Sequence, residues 1–371
     1  MFDGLFTDYT LRIVSLGAAL LGITSGALGS FAVLRKQSLL GDSISHAALP
    51  GIVLAFILTG SKNSLVLLIG AAVAGWIATI FILSIIRNTR ITSDGAQGII
   101  LSVFFGLGLL LLTFVQSKPN AAQAGLDKYL FGQAAALLPE DIKTSAIFGG
   151  ISIITMIVIW KELKLSTFDP GFGESIGFST KLIDYLITAL IVISIVTGLQ
   201  TVGVILMSSM LIAPAAAARQ WTNKLSSMVV LSSIFGAIAG IVGAILSCII
   251  PNLPTGPSIV LSLTAIVIFS LLFAPNRGVI SSMIKRYNNR FDFSQQKLLL
   301  SLWNIEKMHN GEKRAHDSHT INFVQKEIKN INTALNSLEE KGWVSKDSKG
   351  LWSLTDKGRD DARSLEEGKL L

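Results

Sequence analysis

The sequence predicts an all-α polytopic membrane protein of about nine transmembrane helices, followed by a small cytoplasmic winged helix-turn-helix domain. Three observations carry the prediction. Half of the 371 residues are hydrophobic and the mean hydropathy is +0.59, more apolar than an ordinary soluble chain. Residues 1–277 hold only 15 Lys and Arg and 11 Asp and Glu between long apolar runs, whereas residues 278–371 hold the other 16 and 13. Beyond Arg277 the runs give way to amphipathic spacing. The expected organisation is a transmembrane region over 1–277, a linker over 278–291 and a soluble domain over 292–371.

A helix needs about 20 apolar residues to cross hydrocarbon. Nine stretches qualify: 11–34, 44–60, 64–86, 97–116, 142–160, 182–199, 202–218, 225–249 and 257–274. Several resemble "LGAALLGITSGALGSFAVL", whose small residues permit close helix packing in lipid. Arg35 and Lys36, Arg87 and Arg90, Lys161 and Lys164, Arg219 and Lys224, and Arg277 follow alternate crossings. The positive-inside bias then puts the N-terminus outside and the C-terminus in the cytoplasm. Lys118, Lys128 and Lys143 fall on the outer side against that trend. The semi-apolar stretch 120–141 is expected as an outer or re-entrant loop. "MFDGLFTDYT" lacks the basic start of a cleavable signal, so insertion is expected to rely on the first spanning helix.

The single cysteine, Cys248, excludes an internal disulfide and a Cys-rich metal site. The net charge of +7 matches basic cytoplasmic loops and is no nucleic-acid signal by itself. No Gly-Lys-Ser/Thr phosphate-binding loop occurs, so the chain is not its own ATPase by that route.

In the last region, "SQQKLLLSLWNIEKM" and "INFVQKEIKNINTALNSLEEKGW" show helical spacing, the second stopping at Gly342. "GWVSKDSKGLWSLTDKG" alternates around "SKDSKG" and reads as a β-hairpin, and "RDDARSLEEG" as a short polar helix. The expected core is Leu298, Leu299, Leu302, Trp303, Ile305, Leu335, Leu338, Trp343, Leu351 and Leu354.

One apolar run carries chemistry. Asp42 and His46 stand four residues apart, on one helix face. An Asp at mid-membrane costs about 2.5–3.5 kcal/mol on insertion scales, and His46 is the only histidine before residue 278. A carboxylate with an imidazole suits zinc, manganese or ferrous iron. The residues alone leave a second reading open: Asp42 caps the helix and His46 is hydrogen-bonded inside the bundle. Pro214 is a candidate helix kink, with simple packing an equal reading. Asp94 and Asp184, at helix starts, are expected as caps. A proton-coupled carrier would need ionisable groups deep in several helices, and none are apparent.

"GDSISHAALPGIVLAF" closely resembles the signature of the membrane subunits of ABC importers for manganese, zinc and ferrous iron. "STFDPGFGESIGFST" and "LQTVGVILMSSMLIAPAAAARQW" are similar to that family's cytoplasmic and Pro-Ala-Ala segments, and the resemblance covers about residues 5–277. It implies a multi-pass protein of a bacterial cytoplasmic (inner) membrane, with no permanently bound cofactor and a divalent metal ion as transported substrate. It implies that Asp42 and His46 coordinate that metal in the translocation path. It also implies that Phe168, Asp169, Pro170, Glu174 and Gly177 belong to a coupling helix docking on an ATPase. Pro170 suits a first helical turn and Gly177 a stop, whereas Gly171 and Gly173 depart from the usual pattern and weaken an isolated helix. The implied partners are cytoplasmic ATPase subunits, an extracytoplasmic metal-binding protein and a second permease, the same or related.

Residues 292–365 are similar to the DNA-binding part of metal-dependent repressors of the diphtheria-toxin-repressor type. Their region's net charge of +3 is modest for a phosphate-binding surface. His309, His316 and His319 are candidate metal ligands, although "HNGEKRAHDSH" reads as a solvated loop. Regulation or protein docking is expected ahead of DNA binding. The competing function class is a membrane-anchored, metal-responsive transcription regulator.

Overall fold

The computed structural model describes residues 9–60, 63–117, 132, 138–250, 253–308, 315, 317, 321, 331–348 and 350–367. The chain divides into a unit ending at Val279 and a unit beginning at Ile280.

The first unit is a helical bundle: α1 (Tyr9–Leu34), α2 (Leu40–Thr59), α3 (Ser64–Asn88), α4 (Ser93–Gln116), α5 (Pro139–Val158), α6 (Trp160–Phe168), α7 (Pro170–Ser175), α8 (Thr180–Val202), α9 (Val204–Trp221), α10 (Leu225–Ile249) and α11 (Thr255–Phe273). In lipid every backbone polar group needs an internal partner, so long apolar runs become helices. Side chains tie down several ends: Asn63, Thr92 and Ser179 accept from Leu65 N, Gly95 N and Leu182 N at the starts of α3, α4 and α8. Gly60, at φ +65°, closes α2 by donating to Phe56 O at 2.8 Å.

Eight described helices are long and apolar enough to cross a membrane, not the nine expected. The difference is the stretch 202–218. It is helical as α9, but Ser208, Ser209, Arg219 and Gln220 dilute its 18 residues. The re-entrant loop expected over 120–141 lies outside the described residues, except Gly132 and the start of α5.

α1 lies at the centre, packed on α10, α9, α5 and α8, while α2 packs on α3 and α4. The α1–α10 seam brings backbones into contact. A Cβ added at Gly236 would fall on the Gly22 carbonyl, and one at Gly240 would lie 2.6 Å from Ala18 O. Ser232 and Ser233 donate across the seam to Gly26 O at 2.6 Å and Ile23 O at 3.3 Å. This is the small-residue packing the composition suggested.

In the second unit, the stretch expected as a linker is helical. α12 runs from Val279 to Met308 and is followed by α13 (Ile331–Glu340), β1 (Val344–Lys346), β2 (Trp352–Leu354) and α14 (Asp356–Glu366). The hairpin forms where the alternation put it, antiparallel, with Val344 opposite Leu354 and Lys346 opposite Trp352. The core joins Leu298, Leu299 and Leu302 to Leu335, Leu338, Val344, Trp352 and Leu354, with Trp303 and Trp343 against it. Two expected members differ: Ile305 and Leu351 are only half-buried. Strand residues three apart face opposite sides, so Leu351 cannot join Leu354, and Trp352 does instead. Arg359 joins the pieces, donating to Glu306 Oε1 at 2.7 Å, Asp356 Oδ1 at 2.6 Å and Leu354 O at 3.0 Å. The Glu366 carboxylate is held below its usual range by the Lys307 ammonium and then by the Trp303 N–H, both of which donate to it. The three tail histidines lie outside the described residues.

Candidate functional site

α2 begins four residues earlier than the apolar run suggested, so Asp42 and His46 lie within its first two turns. The N-cap is Leu39, without a side-chain bond. Asp42 is therefore not the cap, although its charge still suits the helix N-terminus. His46 Nε2 stands 3.3 Å from Asp42 Oδ1. Donors about 2.1 Å from one ion and that far apart subtend roughly 100°, close to a tetrahedral angle. The imidazole meets the Phe105 ring of α4 edge-on, with centroids 4.5 Å apart.

Ser43 Oγ donates to Leu39 O at 2.9 Å and to Gln97 O at 3.0 Å, and Ser45 Oγ to Gly41 O at 2.7 Å. The flanking serines thus serve the backbone. His46 Nδ1 is buried without a hydrogen-bond partner, which in a native protein points to a water, an ion or a functional role. Pro50, inside α2, has no N–H to offer the His46 carbonyl four residues earlier. Among the described residues no group of three or more His, Cys, Asp and Glu could enclose a metal. Asp42 and His46 are thus a pair of potential donors without a third beside them among the described residues.

The segment after α6 forms a compact corner. Asp169 Oδ1 accepts from Phe172 N at 3.0 Å and caps α7, with Pro170 in its first turn. Gly177 has φ +88°, so the stop read from the sequence has a backbone reason. Glu174 Oε1 accepts from Thr180 Oγ1 at 2.6 Å, fastening α7 to α8. Gly173 is buried beside Leu165 and Thr180. Phe168, Phe172, Ile176 and Phe178 are all exposed, an apolar surface around a six-residue helix.

The structure corrects both further cap assignments. Thr92 caps α4, and Asp94 sits in its first turn. Ser179 caps α8, whereas Asp184 binds Arg35 Nη1 at 2.7 Å. Arg35 is a residue that sequence reasoning took only as a loop charge. Its guanidinium also donates to Ser166 Oγ at 3.1 Å and Thr167 Oγ1 at 3.3 Å. Burial lowers the Arg35 pKa from its ordinary value, and the Asp184 charge opposes that shift. Pro214 is buried within α9, which continues through it. The structure does not bring Asp42 and His46 together with the α7 residues in one site; they belong to different elements.

Known proteins resemble this chain over most of its length. The zinc transport system membrane protein TroC of Treponema pallidum is 51% identical over 282 residues, 76% of this chain and 95% of that one. The manganese transport system membrane protein MntC of Bacillus subtilis is 41% identical over 96% of this chain and 82% of its own, a span that takes in the second unit. The solved structure of PsaBC from Streptococcus pneumoniae in complex with Fab superposes with a TM-score of 0.66 at 36% identity, covering 74% of this chain and 96% of that one. The description "ABC 3 transport family" matches residues 7–274, the whole bundle with the Asp42–His46 helix and the α7 corner, and the chain belongs to that family.

Proposed function

We infer that the chain is the membrane permease subunit of an ATP-driven importer that carries a divalent transition-metal ion (manganese, zinc or iron) as its substrate. The observation that carries this reading is the Asp42–His46 pair, 3.3 Å apart in a helix of the matched family region. The chain is a transport subunit and not an enzyme; a separate ATPase supplies hydrolysis, as the relatives' names as transport membrane proteins support. A second permease, the same or related, completes the path, and an extracytoplasmic metal-binding protein delivers the ion. The half-shell at Asp42 and His46 supports a paired permease, since an ion there needs further ligands. The membrane is the bacterial cytoplasmic membrane, with the N-terminus outside. α9 is the ninth crossing: Asn276 Nδ2 donates to Trp221 O at 2.8 Å, so α9 and α11 end side by side, and 18 residues span roughly 27 Å.

α7 and its exposed phenylalanines are the ATPase contact. Asp169→Lys removes the α7 cap and reverses its charge. It is expected to weaken co-purification of the ATPase or to uncouple hydrolysis from metal uptake. A maleimide on Glu174→Cys should react only from the cytoplasmic side; reaction only from outside would overturn both the contact and the orientation.

The second unit resembles a winged helix and acts in regulation or assembly. The exposed face of α13, Asn332, Thr333, Asn336, Glu339 and Glu340, carries no Lys or Arg, a poor surface for phosphates. Truncation after Lys285 is expected to leave uptake intact while changing its dependence on cytosolic metal. Selective binding of the full-length protein to its own promoter at physiological salt would favour the regulator reading instead.

A further inference from the structure

Arg35 follows the last residue of α1, and its side chain is only 10% exposed. The guanidinium uses three donors on three partners: Asp184 Oδ1 of α8, and Ser166 Oγ and Thr167 Oγ1 in the last turn of α6. Ser166 Oγ also donates to Asp184 Oδ1, at 3.3 Å. A rigid planar fork fixes such partners in direction as well as distance, which an ammonium cannot do.

The neighbours in the chain give this network its meaning. Thr167 is two residues before Asp169, the cap of α7, and Asp184 lies beyond α7 on α8. On the other side, Arg35 is joined to Leu40, the start of the helix bearing Asp42 and His46, by four residues. That connection has little slack. Lys36 is held at φ +57°, the one non-glycine positive φ among the described residues, and Lys36 N and Gln37 N donate back to Val33 O and Ala32 O.

Asp184 has a second basic neighbour. Its Oδ2 is 3.7 Å from Arg87 Nη2 at the end of α3, and Arg87 leans on the Tyr185 ring at 5.1 Å. An open cavity lined by Arg35, Arg87, Pro170, Glu174 and Asp184 adjoins the pair. Both carboxylate oxygens are engaged at once, so Asp184 joins the ends of α1 and α3 to α8.

We propose that Arg35 is a positioning residue that links the α7 corner to the metal-bearing helix: through Ser166, Thr167 and Asp184 it makes α6 and α8 move with the α1–α2 connection. The proposal rests on the reading of α7 as the ATPase contact. Its test uses the full transporter, with its ATPase and metal-binding protein, in proteoliposomes. The readouts are hydrolysis and uptake of whichever of manganese, zinc and ferrous iron the unmodified protein accumulates fastest. Ser166→Ala with Thr167→Val leaves the Arg35–Asp184 pair intact, and Arg35→Lys keeps the charge without the fork. Both are expected to keep basal hydrolysis while metal carried per ATP falls about tenfold, within the usual range of coupling between sites. An unchanged ratio in both overturns the proposal, as does recovery of either only as unassembled protein, because the network then serves folding alone. Asp169→Lys in the same assay separates the two readings. If it too leaves the ratio unchanged, the α7 contact itself is wrong; if it alone uncouples, only the Arg35 link is.

Discussion

Asp42→Asn and His46→Ala are each expected to abolish metal accumulation while the protein still inserts and assembles. The first exchange keeps the volume and removes the negative charge beside His46. The second removes the nitrogen that faces Asp42 at 3.3 Å. Changes to groups that merely orient a ligand cost about 10–100-fold in metal affinity, and loss of a ligand should reach at least the top of that range. Neither change should unfold the bundle. Asp42 is partly exposed and caps nothing, and the His46 side chain is itself not fully buried. Uptake of labelled manganese, zinc and iron in cells, with immunodetection in the membrane fraction, tests both. Near-normal uptake by both variants would leave Asp42 as an acid complementing a helix N-terminus and His46 as a half-buried aromatic neighbour of Phe105.

The parts of this fold legible in the sequence are those that lipid dictates. α1, α3, α10 and α11 were readable because an apolar run offers its backbone no partner except itself. α2 was misjudged at its start because Gly41, Asp42 and Ser43 look like a capping turn. Burial of Leu40 and Gly41 against the bundle draws that turn into the helix. In the tail, alternation located the hairpin but not its phase, because Leu351, Trp352 and Leu354 are all apolar and only pairing with Val344 chooses between them. The Asp42–His46 pair was legible because four residues of separation is itself a geometry. The Arg35 network was not. Its partners are 131 to 149 positions away, each a common residue at a helix end, and the role arises only when three helix termini converge. Asp184 was misread for the same reason: its cap-like position was visible, and its partner was not.

Gly236→Leu is expected to prevent assembly altogether. α1 and α10 approach until Gly22 and Gly236 meet backbone to backbone, with no room for a Cβ on either. What yields in most overpacked cores is the end of a flexible side chain, at about 1–3 kcal/mol. Here the obstacle is a main-chain carbonyl. The helices would have to separate, breaking the Ser232–Gly26 and Ser233–Ile23 hydrogen bonds together. Separation would also disturb α9, which packs on both helices. The comparison is Gly106→Leu in α4, where a Cβ meets nothing within 4 Å. That change should leave yield and a monodisperse elution profile in detergent untouched, although the residue and the substitution are the same. Equal behaviour of the two variants would mean that α1 and α10 are held by lipid and loops rather than by backbone contact. Loss of the Gly236 variant alone would identify the seam as the bundle's axis, against which the helix bearing Asp42 and His46 and the α7 corner are positioned.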